Sequence, residues 1–289
     1  MSARVAVVTT VAGRHRHLAA QHRSLVAGSR TPDLTVVVSL GDPEVQDVVK
    51  GGPLPDACDV FHEDVPVSTR LPVAAGRNRG ARRALREGAD FLVFLDVDCL
   101  ASPGLLAAYE HADERVPHHR PALLAGPVAF LPPLPAGAAT YDQPTLDAAR
   151  PHPARPAPPP GTVRREPDMR LFWSLSFAVR PDAWARIGGF HEGYTGYGAE
   201  DTDFAQLARG CGARLWWVGG ATAYHQWHPV SDPPVEHLDD VVANANRFHG
   251  RWGWFPMQGW LSAYDERGLA HYDGRTDRWV TGPRTTRTG

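Results

Sequence analysis

The sequence is poor in the residues that mark several protein classes. Its 289 residues include only three cysteines, Cys58, Cys99 and Cys211, which are far apart and odd in number. We therefore expect neither a disulfide framework nor a cysteine-ligated metal site. Lysine occurs once, at Lys50, and the formal net charge is -2. This charge balance argues against nucleic acid or a strongly charged membrane surface as the partner.

Long apolar runs are also missing. No run approaches the roughly 18–20 apolar residues that a transmembrane helix requires. The first ten residues, MSARVAVVTT, lack the long apolar core of a secretory signal. The sequence therefore predicts a cytoplasmic protein without an integral membrane segment.

Short apolar runs alternate with helical patterns over residues 1–130. The runs that predict strands are 4–10, 34–40, 58–62, 90–98 and 121–130, and the patterns that predict helices include 74–88 and 102–115. Strands that alternate with helices are typical of an α/β fold with a mainly parallel central sheet flanked by helices. Ligands of such sheets bind at the carboxyl ends of the strands.

A proline-rich stretch divides the chain. Residues 150–161 contain six prolines, which exclude a regular helix or a central strand. We interpret 131–170 as a surface linker or as a mobile flap over a site. A second α/β-like part is predicted at 171–230, and 231–289 forms an aromatic extension and tail. Its segment 246–261 is either a packed cover or an extension of a binding surface.

Two aspartates, Asp96 and Asp98, come at the carboxyl end of the most apolar run, FLVFL. Alternation along a strand would point both carboxylates to one side, where they repel each other unless a cation lies near them. One aspartate could instead cap the next helix, but Ser102 and Pro103 already form a helix start signal. Carboxylate oxygens favour Mg²⁺ or Mn²⁺, so the sequence predicts a metal site here.

Three acids, Glu200, Asp201 and Asp203, fall in the first turn of a predicted helix at the end of a glycine-rich loop. Compensation of the helix dipole could explain one or two of them. The loop before them contains Tyr194 and Tyr197, whose flat rings suit sugars, and its glycines would allow a ligand to approach the backbone closely. The pattern therefore predicts a catalytic carboxylate.

A third candidate element ends in two histidines. His225 closes an apolar run, as Asp98 does, and one imidazole beside carboxylate oxygens suits Mn²⁺ better than Mg²⁺. We predict His225 as a metal ligand and His228 as an ordinary surface residue.

In this order the motifs resemble a family 2-type glycosyltransferase with the GT-A fold. The second half of the chain resembles the C-terminal domain of the β-1,4-galactosyltransferases and polypeptide GalNAc-transferases. The segments that carry the resemblance are TTVAGRHRHL, AAGRNRGA, FLDVD, GGFHEGYTGYGAEDTDF and YHQWH.

The resemblance implies a metal-dependent, inverting transfer of a hexose from a nucleotide-sugar, with UDP favoured, to an acceptor hydroxyl. Residues 1–130 would bind the donor and 171–230 the acceptor. Asp201 would be the catalytic base, Glu200 would bind a sugar hydroxyl, and Mn²⁺ or Mg²⁺ would be the cofactor. The implied contacts are Thr9, Thr10, Arg14, Asp42, Arg77, Asn78 and Asp96 for the donor, Asp98 and His225 with Asp96 for the metal or its water shell, and Trp173, Tyr194 and Tyr197 for the acceptor.

The chain departs from the galactosyltransferase pattern in the glycine-rich loop. It has Tyr194 and Tyr197 where tryptophan is typical, and Ala199 where glycine is typical. These changes leave open the sugar and the acceptor, which could be a carbohydrate, a lipid-linked group, a peptide or a small molecule. Two other functions also stay open: a sugar nucleotidyltransferase or pyrophosphorylase, and a non-catalytic sugar-binding protein.

Overall fold

A mixed eight-stranded sheet forms the centre of the protein, in a computed structural model that describes residues 3–135 and 137–282. The strands are β1 (Val5–Val11), β2 (Leu34–Leu40), β3 (Asp59–Val65), β4 (Phe91–Leu95), β5 (Cys99–Ala101), β6 (Ala122–Ala125), β7 (Val128–Phe130), β8 (Arg150–Pro151), β9 (Val163–Glu166), β10 (Ser176–Val179), β11 (Arg214–Val218), β12 (Ala223–His225), β13 (Ala270–Asp273) and β14 (Arg278–Thr281). The α-helices are α1 (His15–Val26), α2 (Val45–Lys50), α3 (Val73–Arg86), α4 (Leu105–Arg115), α5 (Gln143–Ala148), α6 (Pro181–Ile187), α7 (Glu200–Gly210), α8 (Leu238–Trp252) and α9 (Gln258–Glu266).

The strand order in the central sheet is β3-β2-β1-β4-β10-β6-β11-β9. β1 pairs in parallel with β2 and β4, β2 pairs in parallel with β3, and β6 pairs in parallel with β11. The antiparallel pairs are those of β10 with β4 and β6, and of β9 with β11. The prediction of an α/β fold with a mainly parallel sheet is confirmed.

Successive side chains of β1 point to opposite faces of this sheet, and both faces are packed. Ala6 and Val8 belong to an apolar cluster that includes α3, α6 and α7, whereas Val5 and Val7 belong to a cluster that includes α4. Helices therefore cover both faces, which explains why these strands are near-continuous apolar runs.

A smaller sheet, in the order β5-β12-β7-β8, lies at the carboxyl ends of the central strands. In the pairing of β12 with β5, His225 is opposite Cys99, so His225 lies next to the turn that contains Asp98. The predicted strand 121–130 is divided into β6 and β7 because the chain turns at Gly126. A Cβ at Gly126 would come within 1.9 Å of the Ala221 carbonyl oxygen.

The sequence prediction for the start of α4 was wrong. The helix begins at Leu105 after Gly104, and no side chain caps it. Ser102 instead donates its hydroxyl to the Gly220 carbonyl at 3.3 Å, which connects α4 to the turn after β11.

The C-terminal part consists of α8, α9 and the β13–β14 hairpin. They pack around a small core of their own that includes Val241, Leu261 and Tyr264. Residues 283–289 of the predicted tail lie outside the described residues. In the described ranges, no helix has the length and hydropathy needed to cross a membrane.

Candidate active site

The two aspartates of FLDVD lie in a turn beyond β4, and they have different partners. β4 ends at Leu95, and the Cys99 amide donates to the Asp96 carbonyl at 2.8 Å to close the turn. Asp96 accepts from Arg77 at 2.8 Å, whereas Asp98 accepts from Arg14 at 2.9 Å. The expectation that a strand would point both carboxylates the same way was wrong, because the strand has already ended.

Asp98, His225 and His228 form a cluster with the composition of a metal site. Each offers one ligand atom, and these three atoms lie within 4.8 Å of one another. The Nε2 atoms of His225 and His228 are 3.7 and 3.6 Å from Asp98 Oδ2. The structure places Asp96 outside this cluster and His228 inside it, so His228 takes the position that the sequence prediction gave to Asp96.

This donor set fits a divalent cation. Burial lowers the pKa of both His225 and His228, against the attraction of Asp98, which favours the neutral imidazoles that bind metals. One carboxylate oxygen and two imidazole nitrogens suit Mn²⁺ better than Mg²⁺. The two histidines line an open cleft of about 880 Å³ whose other wall includes Phe130 and Val235. A metal held here would therefore keep positions that a ligand in the cleft can reach.

Arg77 joins the aspartate turn to the helix α7. The side chain of Arg77 is 5% exposed, and its guanidinium donates to Asp96 at 2.8 Å and to Glu200 at 3.1 Å. Although burial opposes it, the charges of Asp96 and Glu200 raise the pKa of Arg77, so it is a permanent cation. Burial in turn raises the pKa of Asp96 in spite of Arg77. Arg77, predicted as a donor-binding residue, thus holds Asp96 and Glu200 in place.

Asp201 lies in the first turn of α7 and has no cation within ion-pair distance among the described residues. Its Oδ1 accepts from the Thr202 amide at 2.6 Å and the Thr202 hydroxyl at 3.3 Å. Burial and the Glu200 charge raise the pKa of Asp201 to about 7, against the opposing effect of Arg77. A carboxylate with this pKa can accept a proton near neutral pH, as a general base must.

Asp203, the third acid, has a structural role. It is fully buried and accepts from the Tyr194 hydroxyl at 3.1 Å, Arg251 Nε at 2.7 Å and Trp252 Nε1 at 2.7 Å. It therefore fastens the glycine-rich loop and α8 to the helix that carries Asp201. The prediction that Tyr194 contacts an acceptor needs correction, because the ring is only 2% exposed and its hydroxyl is used here.

Tyr197, predicted as an acceptor contact, is partly exposed and packs on the C-terminal part of the chain. Its side chain is 38% exposed and stacks on His237 with 4.5 Å between the ring centroids. Its backbone amide donates to Asp240, and its carbonyl accepts from Asn244 of α8. A Cβ at Gly196 would lie 2.1 Å from Asp240 Oδ2, so close packing on α8 and a φ of +74° explain this glycine.

Trp173 lies against the proline-rich segment. It is half-buried, with the Arg155 guanidinium 4.0 Å from its ring centroid and the His152 ring 5.1 Å away. Part of its predicted acceptor surface is therefore covered by the chain itself.

The predicted donor residues divide into two groups. Asp42 accepts from the Gly13 amide at 2.6 Å and lies 2.8 Å from His15 Nε2, at the same edge of the sheet as Arg14. Burial opposes ionisation, but His15 and the Gly13 amide lower the pKa of Asp42, so it is an anion at neutral pH.

Thr9, Thr10 and Asn78 point inward, and this corrects their predicted role as donor contacts. The Thr9 hydroxyl is buried, with Gln21 and the Leu95 carbonyl as its partners. Thr10 is 8% exposed. The Asn78 amide donates to the Phe190 carbonyl and accepts from the Phe190 backbone N–H, each at 2.8 Å. Thr9 and Thr10 point to opposite faces of the sheet, and helices cover both faces. Asn78 lies on a buried face of α3.

Sequence reasoning missed His228 and Arg155. A second histidine three residues after a strand end was a usable signal for His228. Arg155 offered no signal, because its proline-rich surroundings have the composition of a linker.

Part of the chain matches a known protein family. Residues 164–226 match a family described as the N-terminal domain of galactosyltransferase. This segment contains Asp201 and His225. No curated protein matches the chain.

Solved structures share the fold at low sequence identity. S. aureus TarS 1-349 matches with a TM-score of 0.55 and 14% identity, over 85% of this chain and 65% of that one. GalNAc-T7, whose structure contains UDP, GalNAc and Mn²⁺, matches with a TM-score of 0.55 and 14% identity, over 91% and 57%. The chain thus spans less than two thirds of these two structures. The predicted resemblance to GT-A glycosyltransferases is confirmed.

Proposed function

We propose that this glycosyltransferase-family protein of the GT-A fold transfers a hexose from a UDP-sugar to an acceptor hydroxyl, with a divalent metal and with inversion. The observation that carries the proposal is the arrangement at the carboxyl ends of the strands. Asp98, His225 and His228 form a cluster that could hold a metal ion, and the Asp201 carboxyl has a pKa of about 7. Arg77 connects the two elements that carry them.

Asp98, His225 and His228 would hold Mn²⁺, or Mg²⁺ with less affinity. The metal, when bound, would supply positive charge against the diphosphate that leaves the sugar. The structures of GalNAc-T7 with UDP and Mn²⁺ and of TarS with UDP support this choice of nucleotide and cofactor. Arg14, 2.9 Å from Asp98, adds a guanidinium, a group that can make bidentate hydrogen bonds to phosphate oxygens.

Asp201 would take the proton from the acceptor hydroxyl while the oxygen of that hydroxyl forms the bond to the anomeric carbon. The bond from that carbon to the UDP oxygen breaks in the same displacement, and the electron pair leaves with UDP. A single displacement from the opposite side inverts the anomeric carbon. A positioned base of this kind contributes typically ~10²–10⁴-fold to the rate.

The neighbouring groups would orient the two substrates. Glu200, which Arg77 holds through Oε1, can accept a hydrogen bond from a sugar hydroxyl through Oε2. Tyr197 presents a partly exposed aromatic ring of the kind that covers the apolar face of a sugar. These contacts favour a carbohydrate or a glycosylated molecule as the acceptor.

Calorimetry of UDP binding tests this proposal without knowledge of the acceptor. UDP should bind in the presence of Mn²⁺ and should bind at least ten times more weakly in EDTA, and GDP should bind more weakly than UDP. Binding that is the same with Mn²⁺ and with EDTA would contradict the metal site. No binding of UDP in either condition would contradict the donor.

A further inference from the structure

Arg155 is a buried cation that makes no ion pair with any other residue that the structure describes. Its side chain is only 9% exposed, and its guanidinium lies 4.0 Å from the ring centroid of Trp173 and 5.0 Å from that of Trp217. Its Nη1 is buried without a hydrogen-bond partner, and no carboxylate of the described ranges lies within ion-pair distance. Burying an unpaired charge is costly, so a purely structural residue at this position would rarely be arginine.

The segment that carries Arg155 is fixed at both ends. Upstream, β8 pairs with β7, which pairs with the strand of the metal ligand His225. Downstream, the Gly161 amide donates to the Gly219 carbonyl at 3.1 Å, and Arg115 donates to the Gly161 carbonyl at 2.7 Å. A Cβ at Gly219 would lie 1.9 Å from the Pro159 carbonyl oxygen. The proline-rich segment is therefore part of the architecture of the site, and it holds Arg155 in a defined position.

Trp173, which the Arg155 guanidinium covers, follows Phe172 in the chain, and the Phe172 ring centroid lies 5.7 Å from that of Phe204. Phe204 is on α7, one helical turn after Asp201. In this region the charges of Arg155 and Asp201 attract each other.

The charge of Asp201 raises the pKa of Arg155, and the charge of Arg155 lowers that of Asp201. Burial lowers the pKa of Arg155 to about 9, so it is still a cation at neutral pH. The other charged or titratable groups that face Asp201 are Glu200 of its own helix, Arg77 of α3 and Tyr197 of the glycine-rich loop.

The charges around Asp201 leave a role for Arg155. Glu200 disfavours an ionised Asp201, and Arg77 divides its two hydrogen-bonding arms between Asp96 and Glu200. The Arg155 guanidinium makes no ion pair within the described residues, and its Nη1 has no hydrogen-bond partner there. We propose that Arg155 is a positioning residue that supplies the counter-charge for Asp201 across the acceptor side of the site and keeps this carboxylate ionised for catalysis. This inference rests on the proposed function, in which Asp201 is the base.

The pH dependence of UDP-hexose turnover tests the inference. We would compare wild type with Arg155→Met, Arg155→Lys and a matched control, Arg150→Met, which removes an exposed arginine of the same segment. In Arg155→Met the acidic limb of the profile should move about 0.5–1 pH unit upward, because Asp201 loses a favourable charge. Arg155→Lys should keep most of the wild-type limb, and Arg150→Met should keep all of it. A lower rate at every pH with an unmoved limb would show a merely structural role and overturn the inference.

A stability measurement gives an answer that does not depend on turnover. Asp201→Asn removes the buried charge, so at pH 8 it should stabilise the Arg155→Met protein more than it stabilises wild type. At pH 4, where Asp201 is protonated, this difference should vanish. An equal effect of Asp201→Asn in both backgrounds at both pH values would overturn the inference. If Arg155→Met alone does not fold, folding of the double variant at pH 8 supports it, and failure of the double variant to fold overturns it.

The two measurements separate the inference from the proposed function. Absence of UDP-hexose turnover by wild type at any pH would contradict the proposed function and the catalytic part of the inference. The stability difference at pH 8 would still report whether Arg155 and Asp201 are charge partners.

Discussion

Arg77 donates to Glu200 at 3.1 Å, while Asp201, the next residue, has no cation at hydrogen-bonding distance in the described part of the chain. Two adjacent carboxylates in one helical turn thus have different surroundings. Glu200 is held by an arginine, whereas burial and the neighbouring Glu200 charge raise the pKa of Asp201 to about 7. A carboxylate whose surroundings raise its pKa towards neutrality is typical of sites that need one group to exchange a proton. This difference supports the proposed division of roles, in which Asp201 transfers the proton and Glu200 orients the substrate.

The metal cluster predicts that His228 is as important as His225. His228→Ala should weaken UDP binding in Mn²⁺ at least tenfold and leave the weak binding in EDTA unchanged, because it removes one of three ligand atoms. His118→Ala, which removes an exposed histidine, is the matched control. Calorimetry with and without Mn²⁺ measures both. Unchanged Mn²⁺-dependent binding by His228→Ala would mean that His228 is not a ligand.

The raised pKa of Asp201 predicts a pH-dependent cost in stability. A folded-state pKa of about 7, above the ordinary value of 3.8, means that the folded protein binds this proton more tightly than the unfolded chain. The stabilisation is complete below pH ~4 and is lost as the pH rises through about 7. Asp201→Asn should therefore be more stable than wild type at pH 8, on the order of 1–3 kcal/mol, and the difference should disappear near pH 4.

Chemical denaturation at the two pH values measures this difference. Asp182→Asn, at an exposed acid in the first turn of α6, is the control and should show no such dependence. A wild type that is as stable as Asp201→Asn at pH 8 would contradict the raised pKa.

The contacts of Asp203 predict that α8 supports the catalytic helix. Arg251→Met removes the 2.7 Å contact to a fully buried carboxylate and should destabilise the protein by roughly 3 kcal/mol, the low end for a broken buried pair. Arg247→Met, at an exposed arginine of the same helix, should change stability by less than about 0.5 kcal/mol. Urea denaturation compares the two. Equal effects of both substitutions would contradict the structural role of Asp203.

Two glycines near α8 should respond in opposite ways to alanine. At Gly196 a Cβ would lie 2.1 Å from Asp240 and φ is +74°, so Gly196→Ala should be destabilising by more than about 1 kcal/mol. Gly250 lies inside α8 with no atom near the position of a Cβ, so Gly250→Ala should be stabilising by roughly 0.5–1 kcal/mol. Thermal unfolding of the two variants measures the signs. A neutral Gly196→Ala would contradict the close packing of the loop on α8.

The sequence predicted what depends on local pattern. Valine-rich runs indicated β1 and β2, helical spacing indicated α7, and the end of an apolar run indicated His225 as a site residue. The predictions of the strands and of the helix are confirmed, because the period of burial is visible in neighbouring residues. His225 lies in a group that could hold a metal ion, and its role as a ligand stays a prediction.

The sequence could not predict contacts between distant segments. Asp203 is 48 residues from its partner Arg251, and Arg77 is 123 residues from Glu200. Nothing local distinguishes Asp203, which is fully buried and structural, from Asp201, which is only partly buried. Composition was misleading at Arg155, since a proline-rich stretch can be a linker or a fixed wall, and only tertiary packing decides between them.

The central claim is that Asp201 is the base of a UDP-hexose transfer. The most direct test measures UDP release from UDP-hexoses by wild type and by Asp201→Asn. Both are assayed in Mn²⁺, with and without carbohydrate acceptors. The account predicts release by wild type and a loss of ~10²–10⁴-fold in Asp201→Asn. UDP binding should be unchanged in this variant, because Asp201 lies outside the metal cluster. Asp201→Asn with wild-type turnover would contradict the assignment of the base, and the absence of release from any UDP-hexose by wild type would contradict the proposed reaction.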